Sequence, residues 1–182
     1  MKQDYNFDVD KIKSLSNEEK VSRKKNLDIF LETGFPNKKN EDWKFTDLNA
    51  ILNKNFDKIT NNFEFNLNEQ FKMLEHFEHN YILLTNGVLT KSDFKYEDEN
   101  KIEIKDFKSK NIDTSVITNN LTLLNKALSF GGYSLTVFDN YKFKKPLIIY
   151  NYFSENLKNV ILNNRNYIKL NKGSELTIIE YT

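Results

Sequence analysis

His76 and His79 are the only imidazoles in the chain, and they share the run Glu75-His76-Phe77-Glu78-His79. On a helix this spacing puts both rings on one side. With Glu75 and Glu78 nearby, such a pair could grip a divalent metal ion. No third strong ligand is evident in the sequence, and acids interleaved with imidazoles are also ordinary helix surface. A structural or solvated role is therefore the expectation, and no metal ligand is assigned.

Other chemistry has little to draw on. Cysteine is absent, which removes thiolate catalysis, disulfides and cysteine-ligated zinc or iron–sulfur clusters from this chain. No histidine falls in the C-terminal strand-rich part, so a Ser/His pair cannot be assembled there. Neither Gly-x-x-x-x-Gly-Lys nor Gly-x-Gly-x-x-Gly occurs, and the glycine pair Gly131-Gly132 leads into a strand. Glu175 and Glu180 fall on opposite faces of a strand, so they do not cooperate as acid and base. Arg165 sits just before a strand, where a salt bridge is expected rather than catalysis. No catalytic, cofactor-binding or metal residue is assigned, and the protein is not expected to be an enzyme.

The densest charged cluster is PNKKNEDWKFTDL, Pro36 to Leu48, which holds the one tryptophan, Trp43. Lys38, Lys39 and Lys44 beside an aromatic ring could suit single-stranded nucleic acid. Glu41, Asp42 and Asp47 cancel that charge locally. The favoured reading is a corner anchored by a buried Trp43, with its charges facing water.

The elements that would position these residues follow from spacing. Ser16-Asn17-Glu18-Glu19 offers a capping box, and Leu27, Phe30 and Leu31 share a helix face up to the stop at Gly34 and Pro36. Thr46 or Asp47 can cap a second helix with Leu48, Ile51 and Leu52 inward. A third helical pattern spans LNEQFKMLEHFEH, where Leu67, Phe71, Leu74 and Phe77 align. YILLTNGVLT predicts a hairpin turning at Asn86-Gly87, and Ile102 with Ile104 predicts a short strand. LTLLNKALSF is the last helical stretch. Beyond it come only short strands: YSLTVF, PLIIYNYF, NVILNN, NYIKL and SELTIIEY. Their spacing suggests a sandwich, a barrel or a β-solenoid. An apolar strand at the end predicts an exposed sheet edge over Ser174–Tyr181, and the chain is expected to be the N-terminal part of a longer protein.

Composition agrees with a globular fold. Hydrophobic residues make up 38%, and 27 basic against 26 acidic residues leave a formal net charge of +1. That balance gives no overall attraction to nucleic acid or to an anionic membrane. No apolar run reaches membrane-span length, and a soluble, cytoplasmic protein is the expectation.

The stretch Gly34-Phe35-Pro36-Asn37-Lys38-Lys39-Asn40-Glu41-Asp42-Trp43-Lys44-Phe45-Thr46-Asp47-Leu48 resembles the N-terminal signature of SufD in the SufB/SufD family of the SUF iron–sulfur assembly system. That signature is a Gly-Leu-Pro-Thr turn leading into Glu-Glu-Trp-Lys-Tyr-Thr. The family-signature residues are Pro36, Glu41, Asp42, Trp43, Lys44 and Thr46, to which a structural role is given. Further pieces follow in the family's order: Ile82 to Gly87, Leu124 to Ala127, Gly131 to Val137, Lys145-Pro146-Leu147, Asn164-Arg165-Asn166 and Gly173 to Glu180. The SufB subunit lacks the Glu-Asp-Trp-Lys run near its start, so the likeness is to SufD.

The resemblance implies an α+β fold: a mixed, largely helical N-terminal domain with a short hairpin over 1–118, then the first rungs of a right-handed parallel β-helix over 119–182. It implies a non-catalytic subunit of a SufBCD scaffold, partnered by a SufB-like paralogue and a SufC-like ATPase, with no nucleic acid or membrane partner. No cofactor is expected on this portion. The complex assembles iron–sulfur clusters and uses ATP through SufC, and the family's functional residues lie in later parts. The alternatives are a β-helix enzyme acting on polysaccharide through clustered carboxylates, or a generic β-solenoid binding module.

Overall fold

The computed structural model describes residues 7–12, 15–56, 58–60, 72–107, 119–154 and 157–182. Its helices are α1 (Asn17–Thr33), α2 (Leu48–Asn55) and α3 (Asn120–Leu128). Its strands are β1 (Lys58–Thr60), β2 (Asn80–Thr85), β3 (Val88–Asp93), β4 (Ile102–Asp106), β5 (Gly131–Val137), β6 (Leu147–Tyr152), β7 (Val160–Leu162), β8 (Asn164–Leu170) and β9 (Ile178–Tyr181). The class is mixed α+β.

Two compact units interleave along the chain. One comprises Met1–Asn62, Lys110–Phe130 and Leu157–Asn163, and the other Phe63–Ser109, Gly131–Asn156 and Asn164–Thr182. The hairpin therefore belongs with the strands that follow Phe130 rather than with the first two helices.

In the first unit, α1 begins as its capping box predicts. The Ser16 hydroxyl accepts from the Glu19 N–H, and the Glu19 carboxylate accepts from the Ser16 N–H at 2.8 Å. These bonds satisfy two amides that no helical carbonyl could reach. Gly34 closes the helix at φ 70°, a conformation open to glycine. Leu27 and Phe30 turn inward and pack with Val9, Leu124, Ala127 and Leu128 of α3 and the chain before α1. Leu31, expected on the same face, is exposed: the core that Leu27 and Phe30 join does not reach it. The Phe30 ring meets the edges of Phe7 and Phe35 at 5.7 and 5.0 Å. Arg23 of α1 donates to the carbonyls of Ala127 and Ser129, at 3.2 and 2.6 Å, closing the end of α3. β1 pairs in parallel with β7.

The second unit holds a four-stranded sheet in the order β3-β2-β6-β9 and a three-stranded sheet in the order β4-β5-β8. β2 and β3 form the expected hairpin, with Asn86 and Gly87 at φ 51° and 81°. Positive φ at both positions matches the right-handed strand twist. β2–β6, β6–β9 and β5–β8 are parallel, whereas β4–β5 is antiparallel. Ile82, Leu84, Tyr133, Leu135, Leu147 and Ile149 pack together, with Ile102, Ile104, Phe143, Ile168 and Leu176 against them. On the other face of β2 and β6 lie Tyr81, Leu83, Ile148 and Tyr150. Strand β2 is thus buried at every position, which explains its unbroken apolar run.

The glycine pair also has its reason here. At Gly132, φ is +118°, and a Cβ would land on the Arg165 carbonyl of the neighbouring β8. Only a residue without a side chain lets β5 pass that close. β9 lies at the edge of its sheet, with Ile178, Ile179 and Tyr181 partly open to solvent. The strands do not close into a solenoid among the described residues.

The third helix is the main departure. Residues 72–79 are not helical, and Leu67 and Phe71 lie outside the described residues. His76 has φ 65°, outside the right-handed helical region. The Leu74 N–H donates to the Tyr150 hydroxyl at 3.0 Å instead of to a helical carbonyl. A tertiary hydrogen-bond partner overrides the helical spacing of Leu74 and Phe77.

Candidate functional site

The family-signature residues form a tight corner between α1 and α2. Pro36 is buried, and its missing N–H suits the exit from a helix. Asn37 and Asn40 then fold the chain on itself: the Asn37 N–H donates to Asn40 Oδ1, and the Lys39 N–H to Asn37 Oδ1, each at 2.9 Å. Glu41–Trp43 make a single 3-10 turn, and the Thr46 N–H donates to the Trp43 carbonyl at 2.9 Å. Asp47 caps α2 by accepting from the Ala50 N–H at 3.0 Å. That bond first, and the Lys38 charge 3.5 Å away, hold the Asp47 carboxyl below its usual value. Of the two caps the sequence offers, Asp47 makes the bond.

The corner holds no convergent chemistry. Glu41, Asp42 and Lys44 are exposed, and Phe45 is 92% exposed beneath the Lys44 ammonium, 5.1 Å from its ring centre. Trp43 is half-buried rather than buried, since the turn is secured by backbone and Asn side-chain bonds instead of by the indole. In α2, Leu52 is buried but Ile51 is exposed.

The other candidates separate. Glu75 is 4.0 Å from His76, and both are exposed, while His79 turns to Tyr150 at 2.9 Å. Among the described residues no group of three or more His, Asp or Glu is placed to hold a metal ion. Arg165 makes no salt bridge among the described residues. Its guanidinium lies 5.9 Å from the Phe107 ring centre, and burial lowers its pKa. β8 presents Arg165 beside Gly132, whose lack of a side chain leaves Phe107 as the surface to cover. Glu175 is engaged by Lys142. Glu180 pairs opposite Ile149, and its charge, after burial, helps push the Tyr133 phenol up to about 12.

One charged group with a built environment escaped the sequence reading. Glu97, in a polar run that reads as surface, is 9% exposed. Its carboxylate accepts from Asn80 Nδ2 at 2.8 Å, from the Tyr141 hydroxyl at 2.8 Å, and from the N–H groups of Lys144 and Lys145 near 3.1 Å. Burial pushes its pKa up, but these bonds together outweigh burial and hold it below the usual value. Tyr141 in turn accepts from the Asp98 N–H, so one carboxylate ties the start of β2, the turn before β4 and the loop into β6. The group is fully engaged and serves as a structural hub. Its side-chain partners, Asn80 and Tyr141, lie 17 and 44 residues away along the chain, and local spacing does not register them.

The family model for the SufBD protein N-terminal region matches residues 3–98, which contain this corner and the hub carboxylate. The chain belongs to the SufB/SufD family. Family membership associates it with the SUF iron–sulfur assembly system. No curated protein matches the chain. In this SufB/SufD family member, no helix among the described residues is long and apolar enough to cross a membrane.

Proposed function

We propose that the chain is the N-terminal portion of a SufD-type subunit of a SufBCD-like scaffold, in which it serves assembly rather than catalysis. The observation that carries this reading is the family match over residues 3–98, joined to the Glu41-Asp42-Trp43-Lys44 run within it. Its partners are a SufB-like paralogue and a SufC-like ATPase. Iron–sulfur clusters are the cargo of the complex, and ATP is used by the SufC-like subunit in the cytoplasm.

Parallel pairing of β5 with β8 and of β6 with β9 supports a right-handed parallel β-helix as the architecture that this portion begins. Lys142 bridges to Glu175, 33 residues on, the offset that successive rungs would have. The test is co-purification of the tagged native gene product. A SufD-type subunit brings down both a SufC-type ATPase and a SufB-type paralogue. Recovery of neither overturns the assignment, and recovery with a SufD-type paralogue instead makes this chain the SufB-type member.

A further inference from the structure

Asn86-Gly87 is the one place in the chain where glycine follows asparagine. Such a pair is chemically unstable wherever the backbone is free. The Gly87 amide nitrogen loses its proton and attacks Asn86 Cγ, and no side chain on Gly87 hinders the approach. A cyclic imide forms as the Cγ–Nδ2 bond breaks and ammonia leaves. Water then opens the ring, giving aspartate or its β-linked isomer. The attack needs Cγ within bonding reach of that nitrogen, a side-chain amide free to swing, and solvent to carry off the proton and the ammonia.

The folded chain withholds these requirements. Asn86 is 1% exposed. Its Nδ2 donates to Ser154 Oγ at 2.9 Å, and its Oδ1 accepts from the Ser154 N–H at 2.9 Å. Its own N–H donates to the Tyr152 carbonyl at 2.8 Å, just past the last β2–β6 pair. Both ends of the side-chain amide are thus tied to the chain leaving β6. Swinging Cγ onto the Gly87 nitrogen would break both ties inside a buried site. The turn also has little spare room. A Cβ on Gly131 of β5 would meet the Gly87 carbonyl at 2.5 Å, and one on Gly87 would meet Asn164 Cβ at 3.0 Å.

We propose that Asn86 is a fold-gated modification site: its amide persists in the native chain, is lost to water when the β2–β3 turn opens, and leaves a chain that cannot reseat the turn. The β-linked product routes the backbone through Cγ and adds one carbon to a two-residue turn. That turn no longer holds the pair of positive φ angles that joins β2 to β3, and the space beside Gly131 and Asn164 does not admit the extra length. The aspartate product keeps the backbone but loses the Nδ2 donor and places a charge in a buried site. An unfolding event that outlasts the reaction therefore becomes permanent. The gate is independent of the SufD-type reading, since it rests on the turn and its bonds alone.

Peptide mapping of the full chain tests it. The chain is held at mildly alkaline pH, either folded or in guanidinium chloride. Conversion at Asn86 is followed by mass and by labelling with an isoaspartate methyltransferase. Conversion should be at least about tenfold slower in the folded chain, the consequence of having to open two buried hydrogen bonds first. A smaller difference overturns the proposal. Dilution from guanidinium should return less native chain as the hold lengthens, in step with conversion at Asn86. Converted chains that refold with the parent's Tm overturn it equally. So does a yield that falls as fast after a mildly acidic hold, where the Gly87 nitrogen does not attack. None of these arms requires a variant to fold.

Discussion

Replacing Glu97 by Gln keeps the side-chain shape and removes only the charge and one acceptor. The amide oxygen can take the Oε1 position and keep Asn80 Nδ2 at 2.8 Å and the Lys145 N–H at 3.1 Å. Its NH2 then occupies the Oε2 position, 2.8 Å from the Tyr141 hydroxyl and 3.0 Å from the Lys144 N–H. Tyr141 can reverse its hydroxyl to accept, and the Lys144 N–H, shared between the two oxygens, keeps its 3.1 Å bond at the Oε1 position but faces a donor at the other. Hydrogen bonds to a charged group are worth roughly 1.5–3 kcal/mol each, against about 1 kcal/mol for neutral pairs. Several bonds weaken, while the neutral amide is spared the burial of a charge. The expected net loss is about 2 kcal/mol, or roughly 5 °C in Tm for a chain of this size.

The pH dependence carries the sharper test. The folded pKa of Glu97 lies below its ordinary value of 4.5. Its contribution is therefore complete above pH 4.5 and fades as pH falls through the lowered folded value. Urea unfolding of parent and Glu97→Gln chains, followed by circular dichroism, should show a gap at pH 7 that narrows as pH drops from 4.5 towards 3. Equal stability at pH 7, or a gap of constant size across that range, would refute the hub as described.

Three further outcomes follow from local geometry. Gly132→Ala forces a side chain into the β8 backbone at a left-handed φ, and thermal unfolding should register a loss of about 3 kcal/mol or more. Ser16→Ala removes one half of the capping box and should cost about 1 kcal/mol in the same assay. Arg23→Met keeps the aliphatic stem but strips the bonds to Ala127 and Ser129. A loss of about 1–3 kcal/mol is expected, with faster exchange of the amides in the last turn of α3.

Local chemistry explains which features could be read directly. The Ser16 capping box, the Gly34 stop, the Asp47 cap and the Asn86-Gly87 turn each depend on residues within a few positions of one another. Side-chain oxygens near free amides and residues that tolerate positive φ act the same way wherever they occur. The alternating apolar strands after Gly131 were legible for the same reason, and the order of the motifs was enough to resemble a family.

What the sequence could not decide were choices between local and distant partners. Residues 72–79 carry helical spacing, yet the buried Tyr150 hydroxyl takes the Leu74 amide, and the segment is not a helix. Glu97 reads as surface charge until Asn80, Tyr141 and two backbone amides converge on it. Arg165 faces an aromatic ring because Gly132 leaves room beside it. Capping and turn chemistry reach only a few residues and are written in order along the chain. Burial, parallel pairing and the partners of a charge are set by residues dozens of positions away, so tertiary structure alone decides them.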